Sequence, residues 1–403
     1  MILKIPKFSF SAILVIVPVL YFNSCTFEFV KHYFFVLPIV IMCILGWLLF
    51  LSYERIRLEI HSMLPMIGYT LIMIMMMLLG AQNKIESFAS DFRNILYLLF
   101  FMCVFVIYSK PEYWKERKFI VFICIFDAVI SCLYSVYRLI KDPNLSRLLS
   151  TGSYHGTSEA ARARGIISFG VVYGLVLICT VLLFLIVNDK NKRGLNLCLF
   201  SIFAIALAFA QFAMAILLLM VSAGWILYMN KQRTQTKLFY LVLFGGVGLF
   251  ILPPVLEWLA MSNLFGYEVN VRLVEISSFF QGGDMKDSDL FARFSQYGMS
   301  LSALISSYGM GKIVVDSVEP GAHSQWLDGL GNYGLLFVCY IAAMFVFGKF
   351  VLQKLPNKNA VYIYKMVFVI YTVMSLMNTS AWAPITMALF VTVPFMCMDA
   401  ITE

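Results

Sequence analysis

LNLCLFSIFAIALAFAQFAMAILLLMVSAGWILYM, residues 195–229, is the stretch on which the fold turns. It contains no charged side chain. At 1.5 Å rise per residue, a single helix over it would be roughly 50 Å long, well beyond the ~30 Å hydrocarbon core of a bilayer. Both flanks are basic: Lys190, Lys192 and Arg193 before it, Lys231, Arg233 and Lys237 after it. Two helices joined by a tight turn near Gln211 put both clusters on one side of a membrane, as the bias of Lys and Arg toward the cytoplasm requires.

The rest of the chain reads the same way. Its 403 residues are 61% hydrophobic and only 13% charged, with a mean hydropathy of +0.87. A soluble domain carries roughly a quarter charged residues, so lipid is the solvent here. Helices satisfy their own backbone polar groups in hydrocarbon, which makes this an all-α polytopic membrane protein. The 16% aromatic content, led by Phe, suits a lipid-facing surface with Tyr and Trp at the interfaces. Apolar segments fall at about 8–23, 33–51, 63–80, 93–109, 118–140, 165–187, 195–210, 211–229, 238–256, 332–350, 361–377 and 383–398, giving twelve expected spans.

Charge parity tests that assignment. With both termini inside, the inner segments hold Lys4 and Lys7, Arg55 and Arg57, and Lys110, Lys115, Arg117 and Lys118. They also hold the two clusters around 195–229, then Lys349, Lys354 and Lys358, while the short outer loops hold only Lys31, Lys84 and Arg93. The net charge of +8 is thus spent on orientation and does not point to nucleic acid. The nine Cys include no C-x-x-C pair, and most lie in apolar runs, where a thiol packs as a small apolar group. The apolar start after Met1–Lys7 has no A-x-A site and reads as a retained first helix. The chain is one membrane domain, 1–403, with two longer outer loops at 141–164 and 257–331.

The larger loop, 257–331, carries the chemistry. From about Ser288 to Ser307 it has helical periodicity: Leu290, Phe291, Phe294, Leu301, Leu304 and Ile305 form an apolar face. Arg293, Gln296, Tyr297 and Ser300 share the opposite stripe, which can face a cavity or simply seal the bundle with Arg293 reaching lipid phosphates. His323 follows the turn Glu319-Pro320-Gly321-Ala322 and is expected to begin a helix that runs on into the tenth span. Imidazole is the side chain best matched to proton transfer near neutral pH; the alternative is a histidine satisfied by a loop carbonyl. Arg162 and Arg164, in the smaller loop, can grip a diphosphate, because guanidinium forks match phosphate oxygens and stay charged. They can equally anchor a helix end.

His32, His61 and His155 are scattered beside short polar loops and make no metal-ligand spacing. Asp287-Ser288-Asp289 matches a D-x-D motif but lies on the outer side and reads as a solvated acidic turn. Asp127 sits inside the fifth span, where a carboxylate is expensive and turns toward a cavity or a partner.

In order along the loop stand Ala292-Arg293-Phe294, Gly309-Met310-Gly311, Ala322-His323-Ser324-Gln325-Trp326-Leu327 and Gly331-Asn332-Tyr333-Gly334-Leu335. With Arg162-Ala163-Arg164-Gly165 at the entry to a middle span, this pattern resembles the Wzy-type polymerases of O-antigen and capsule and the related O-antigen ligases. The close match covers about a tenth of the chain. A Ser-Arg pair that often opens a central span in that family reads Ala210-Gln211-Phe212-Ala213 here.

The resemblance implies a GT-C-like membrane glycosyltransferase of the bacterial cytoplasmic membrane, with both termini cytoplasmic and the site on the periplasmic face. It implies metal-independent transfer of a glycan from undecaprenyl diphosphate to a sugar hydroxyl, without cofactor. Arg293 and Arg162 or Arg164 would stabilise the leaving diphosphate and His323 would act as base. A chain-length regulator and a repeat-unit flippase would be partners. Two other readings stay open: a ligase transferring the glycan to lipid A core, and a transporter of lipid-linked units, which would show two related halves and midplane polar groups.

Overall fold

The computed structural model describes residues 60–78, 88–142, 145, 165–189, 191–210, 212–229, 252–262, 270–271, 273–274, 277–278, 281 and 289–400. Every regular element among them is helical. In chain order they are α1 (Leu64–Leu78), α2 (Phe88–Tyr108), α3 (Trp114–Lys141), α4 (Phe169–Asn188), α5 (Arg193–Ala210), α6 (Ala213–Met229) and α7 (Leu252–Met261). Then follow α8 (Asp289–Ser306), α9 (Gln325–Tyr333), α10 (Leu336–Lys354), α11 (Lys358–Met377), α12 (Ala383–Met387) and α13 (Val393–Ala400).

Among the described residues six helices are long and apolar enough to cross a membrane, so the chain is a multi-pass membrane protein. They are α2, α3, α4, α5, α10 and α11, while α1, α6 and the α12–α13 unit are shorter apolar helices. The deciding stretch divides as its flanking charges demand, with α5 ending at Ala210 and α6 starting at Ala213. The expected spans at 8–23 and 33–51 lie outside the described residues, and that at 238–256 is described only from Leu252.

The sequence of α3 shows how lipid inverts the usual pattern. Phe119, Phe122, Phe126, Ile130, Leu133, Tyr137 and Ile140 recur at helical spacing and are all exposed. The opposite stripe buries Arg117, Cys124, Asp127, Ser131 and Ser135 against the bundle. In water this arrangement would leave a row of aromatic and aliphatic groups unburied, each worth about 1.5–3 kcal/mol. In hydrocarbon it is the stable one, because the polar groups find partners only inside.

The centre of the bundle is α4, which packs on α5, α6, α11 and α12. Its Gly170 and Gly174, spaced as in small-xxx-small helix contacts, let α12 approach closely. A Cβ on Gly174 would lie 3.0 Å from the Pro384 carbonyl oxygen. The last helical unit contains a fully buried π-helical turn, Ala388–Thr392, between α12 and α13.

One end of the bundle is closed by an ion pair. Arg117 donates to Asp399 through Nη2 at 3.0 Å and Nε at 3.3 Å, and through Nη1 to the Tyr108 and Lys110 carbonyls. The opposite end, where α2 and α10 begin and α11 finishes, carries α8 and α9.

Candidate functional site

The periodicity of residues 288–307 does form a helix, α8, and its stripes take opposite environments. Phe294 and Ile305 are 61% and 74% exposed, whereas Ser300 and Ala303 are fully buried. The polar stripe faces protein. Arg293 donates to Asn378 Oδ1 at 3.3 Å, and the Tyr297 hydroxyl donates to the Met377 carbonyl at 3.1 Å, so both reach the end of α11. Ser300 hydrogen-bonds through its hydroxyl to Asp328 on α9 and accepts from the Gly321 N–H at 2.9 Å. Burial pushes the Tyr297 phenol up, and the Arg293 guanidinium beside it opposes that shift.

The structure corrects the expected start of the helix at His323. Ser324 is the N-cap, its Oγ accepting from the Leu327 N–H at 3.2 Å, so α9 begins at Gln325 and His323 sits on the loop before it. Nor does α9 continue into the next span. It stops at Tyr333, because Gly334 takes φ +63°, and α10 starts afresh at Leu336. An uninterrupted apolar run after Leu335 hides that break from a hydropathy reading.

His323 is aimed by the backbone around it. Ala322 holds φ +61°, a left-handed conformation that costs a residue with a Cβ roughly 1–2 kcal/mol. It is pinned on both sides. The Gly321 N–H is held by Ser300, and the Ser324 N–H donates to Asp328 Oδ2 at 2.8 Å. Gly321 is pressed so close to α8 that a Cβ there would meet the Gln296 carbonyl oxygen at 2.3 Å. Strain held in place this firmly marks the turn before His323 as one the surrounding structure over-determines.

Asp328 gathers these contacts. Burial raises its pKa above the usual carboxylate value, while the Ser300 hydroxyl, the Ser324 N–H, the His323 side chain and the Ala322 backbone pull the other way. His323 and Asp328 therefore lie within electrostatic reach of one another.

The two glycine motifs build a joint. Gly309 and Gly311 hold φ +78° and +80°. The Gly309 carbonyl accepts from the Leu335 N–H at 2.8 Å, and the Lys312 and Ile313 N–H groups donate to the carbonyls of Gly331 and Asn332. A Cβ on Gly334 would lie 2.2 Å from the Gly309 oxygen, and one on Gly311 2.3 Å from the Gly334 nitrogen. These glycines lock the end of α8 to the end of α9, backbone against backbone.

Asn378 links the parts. Its Oδ1 receives Arg293, its Nδ2 donates to the Tyr173 hydroxyl on α4 at 3.3 Å, and its carbonyl accepts the Gln325 N–H at 3.2 Å. Arg293 and the start of α9, two residues beyond His323, thus share one anchor. Arg162 and Arg164 lie outside the described residues, as do His32, His155, Asp287 and Ser288. His61 is exposed on a short turn remote in sequence from this loop, and Asp127 is buried along α3.

Beside the joint opens a cavity of about 530 Å³. Asp91 at the start of α2, Glu319 and Asp328 bring carboxylates to it; Lys312, Asn332 and Tyr333 line it too. The Tyr333 hydroxyl donates to Asp91 Oδ2 at 2.7 Å. Lys312 forms an ion pair with Glu319. Sequence reasoning missed Asn378, Asp328 and Asp91 because nothing local marks them; each joins through a contact that spans distant helices. Compared with known proteins, the chain matches no family model, no curated protein and no solved structure.

Proposed function

We propose that this protein is a membrane glycosyltransferase that polymerises glycan repeat units carried on a lipid diphosphate, as the Wzy-type resemblance implies. The observation that carries the reading is the meeting of α8 and α9. An arginine on an inward polar stripe and the start of α9, two residues beyond a histidine on a strained, pinned turn, are tied to the same asparagine at one end of the spans. The opposite end holds Arg117, Lys110, Lys354 and Lys358, which charge parity assigns to the cytoplasm, and this supports a site that faces outward.

In the proposed reaction the acceptor hydroxyl oxygen attacks the anomeric carbon of the donor sugar. The bond from that carbon to the diphosphate oxygen breaks, and the electron pair leaves with the lipid diphosphate. Arg293 stabilises the charge that develops there. The hydroxyl proton passes to His323, whose imidazolium is favoured by the Asp328 carboxylate beside it. The exposed apolar stripe of α8 suits a lipid carrier that approaches from the bilayer. The energy comes from the diphosphate, so neither nucleotide sugar nor ATP is needed.

Purified protein in vesicles with lipid-linked repeat units alone tests this. Wild-type protein should give a ladder of polymer, and His323→Ala should leave single units at unchanged protein level. Polymer from the His323→Ala protein would remove the histidine from the mechanism. Movement of lipid-linked units across the vesicle without chain growth would overturn the reading in favour of a transporter, and polymer without lipid A core excludes an obligatory ligase.

A further inference from the structure

We propose that the cavity beside α9 is the acceptor pocket and that the sugar it holds is uncharged, bound through its hydroxyls by Asp91, Asn332 and Asp328. This rests on the glycosyl-transfer reading and adds which side of the site holds which substrate.

Position comes first. Ala322 and Asp328 form part of the cavity wall, and His323 follows the first in sequence and lies within electrostatic reach of the second, which brings a base near an acceptor hydroxyl held there. Arg293 does not line the cavity but reaches Asn378, while the next residue, Thr379, lines it. The cation that suits a diphosphate and the pocket therefore meet consecutive residues of one short segment. The assignment seats the donor diphosphate at Arg293 and the acceptor in the neighbouring cavity, with His323 as the base that serves the acceptor.

Charge and chemistry decide the ligand. The cavity lining brings three carboxylates, Asp91, Glu319 and Asp328, against one ammonium, Lys312. Lys312 is already paired with Glu319. A phosphate or a uronic acid would meet net negative charge in a partly desolvated space, which costs several kcal/mol unless paired. Sugar hydroxyls suit it well, because an ionised carboxylate is an acceptor only and an amide both donates and accepts. Tyr333, itself buried, holds the Asp91 carboxylate in place from one side, as a pocket that orients a flexible ligand needs. A cation is the other class that carboxylates attract. Yet among the described residues no three His, Cys, Asp or Glu side chains converge on a point that could hold a metal ion. The volume of about 530 Å³ lies within the ~300–1,000 Å³ range of small-molecule sites.

The test separates acceptor from donor. Full-length protein in nanodiscs is given the lipid-linked repeat unit as donor and, as soluble acceptor, the oligosaccharide released from the same lipid by mild acid. Asp91→Asn should raise the KM for the soluble acceptor about tenfold and leave that for the donor within twofold. Tyr333→Phe, which keeps the packing and removes the hydroxyl that orients Asp91, should raise it by a smaller factor. Arg293→Lys should move the donor KM instead. An unchanged acceptor KM in a folded Asp91→Asn protein, or a change in the donor KM alone, overturns the assignment.

Calorimetry without donor keeps the two ideas apart. Wild-type protein should bind the soluble oligosaccharide, and Asp91→Asn should bind it about tenfold more weakly. If wild-type protein binds so but makes no polymer, the pocket stands and the polymerase reading fails. If polymer forms while Asp91→Asn binds and uses the acceptor normally, the pocket fails and the polymerase stands. Oxidising the oligosaccharide's primary hydroxyls to carboxylates should weaken binding at least tenfold; equal or tighter binding overturns the charge argument.

Discussion

Arg117 and Arg293 occupy opposite ends of the same bundle and have opposite surroundings. Arg117 is buried, with two hydrogen bonds to the Asp399 carboxylate and two more to backbone carbonyls. Arg293 is half-buried and, among the described residues, meets an amide oxygen and the Tyr297 phenol, neither of them an anion. A guanidinium with its donors and charge both satisfied closes a structure. One held in place by neutral groups keeps its charge available for a ligand. On the proposed reading, this difference distinguishes an arginine that holds the fold from one that meets substrate.

The sharpest way to break that comparison is to truncate each in turn. Arg293→Ala should lower polymer formation by at least 10²-fold, the usual loss when a group that stabilises developing charge is removed, and should leave the melting temperature close to wild type. Arg117→Ala should do the reverse. It strands Asp399 in a largely buried site, where breaking one partner of an ion pair costs about 3–5 kcal/mol. Activity per folded molecule should stay near normal. Thermal melts alongside activity normalised to folded protein decide the matter; matched losses for the two variants would erase the distinction.

The glycine joint supplies the next test. Gly334→Ala places a Cβ 2.2 Å from the Gly309 carbonyl oxygen, at a residue with φ +63°. The φ alone costs roughly 1–2 kcal/mol, and the clash must also push α8 away from α9. Stability should fall by more than the φ cost, and activity should fall further, because the displacement moves Arg293 relative to His323. Gly298→Ala is the control on the same α8 helix. Its Cβ would meet open space, and alanine favours a helix over glycine by about 1 kcal/mol. Equal effects of the two substitutions would mean that the joint carries no positional information.

How far such sites are legible in sequence depends on the range of the physics behind them. The α8 stripes were readable because both sets repeat within one helix, and lipid as solvent turns the polar one inward. The split of 195–229 was readable from length and flanking charge alone. Gly309, Gly311 and Gly334 could be recognised as turn-formers, but their mutual docking is a tertiary contact with no local sign. Asn378 was invisible. It lies in the five-residue gap Asn378-Thr379-Ser380-Ala381-Trp382 between spans, and its bond to Arg293 joins residues 85 positions apart. Asp328 sits in plain view five residues after His323, yet only the fold shows that its carboxylate faces back toward the cap and the histidine.

Asp328 gives the smallest effect and the most specific one. Burial raises its folded pKa above the ~3.9 of an exposed aspartate, so the folded chain binds its proton more tightly than the unfolded chain does. The sign follows: the stabilisation tied to this proton is fully present below pH ~3.9 and is lost as pH rises through the raised folded value. Asp328→Asn removes the titration and keeps one acceptor oxygen, enough for either the Ser300 hydroxyl or the Ser324 N–H but not for both. The variant should therefore lose less stability than wild type over that interval, a difference visible as a flatter plot of melting temperature against pH. At neutral pH it should also lower activity, because the carboxylate that favours the His323 imidazolium is gone. Arg293→Ala, in contrast, should leave the slope of that plot unchanged, since the slope belongs to the buried Asp328 proton and not to the guanidinium.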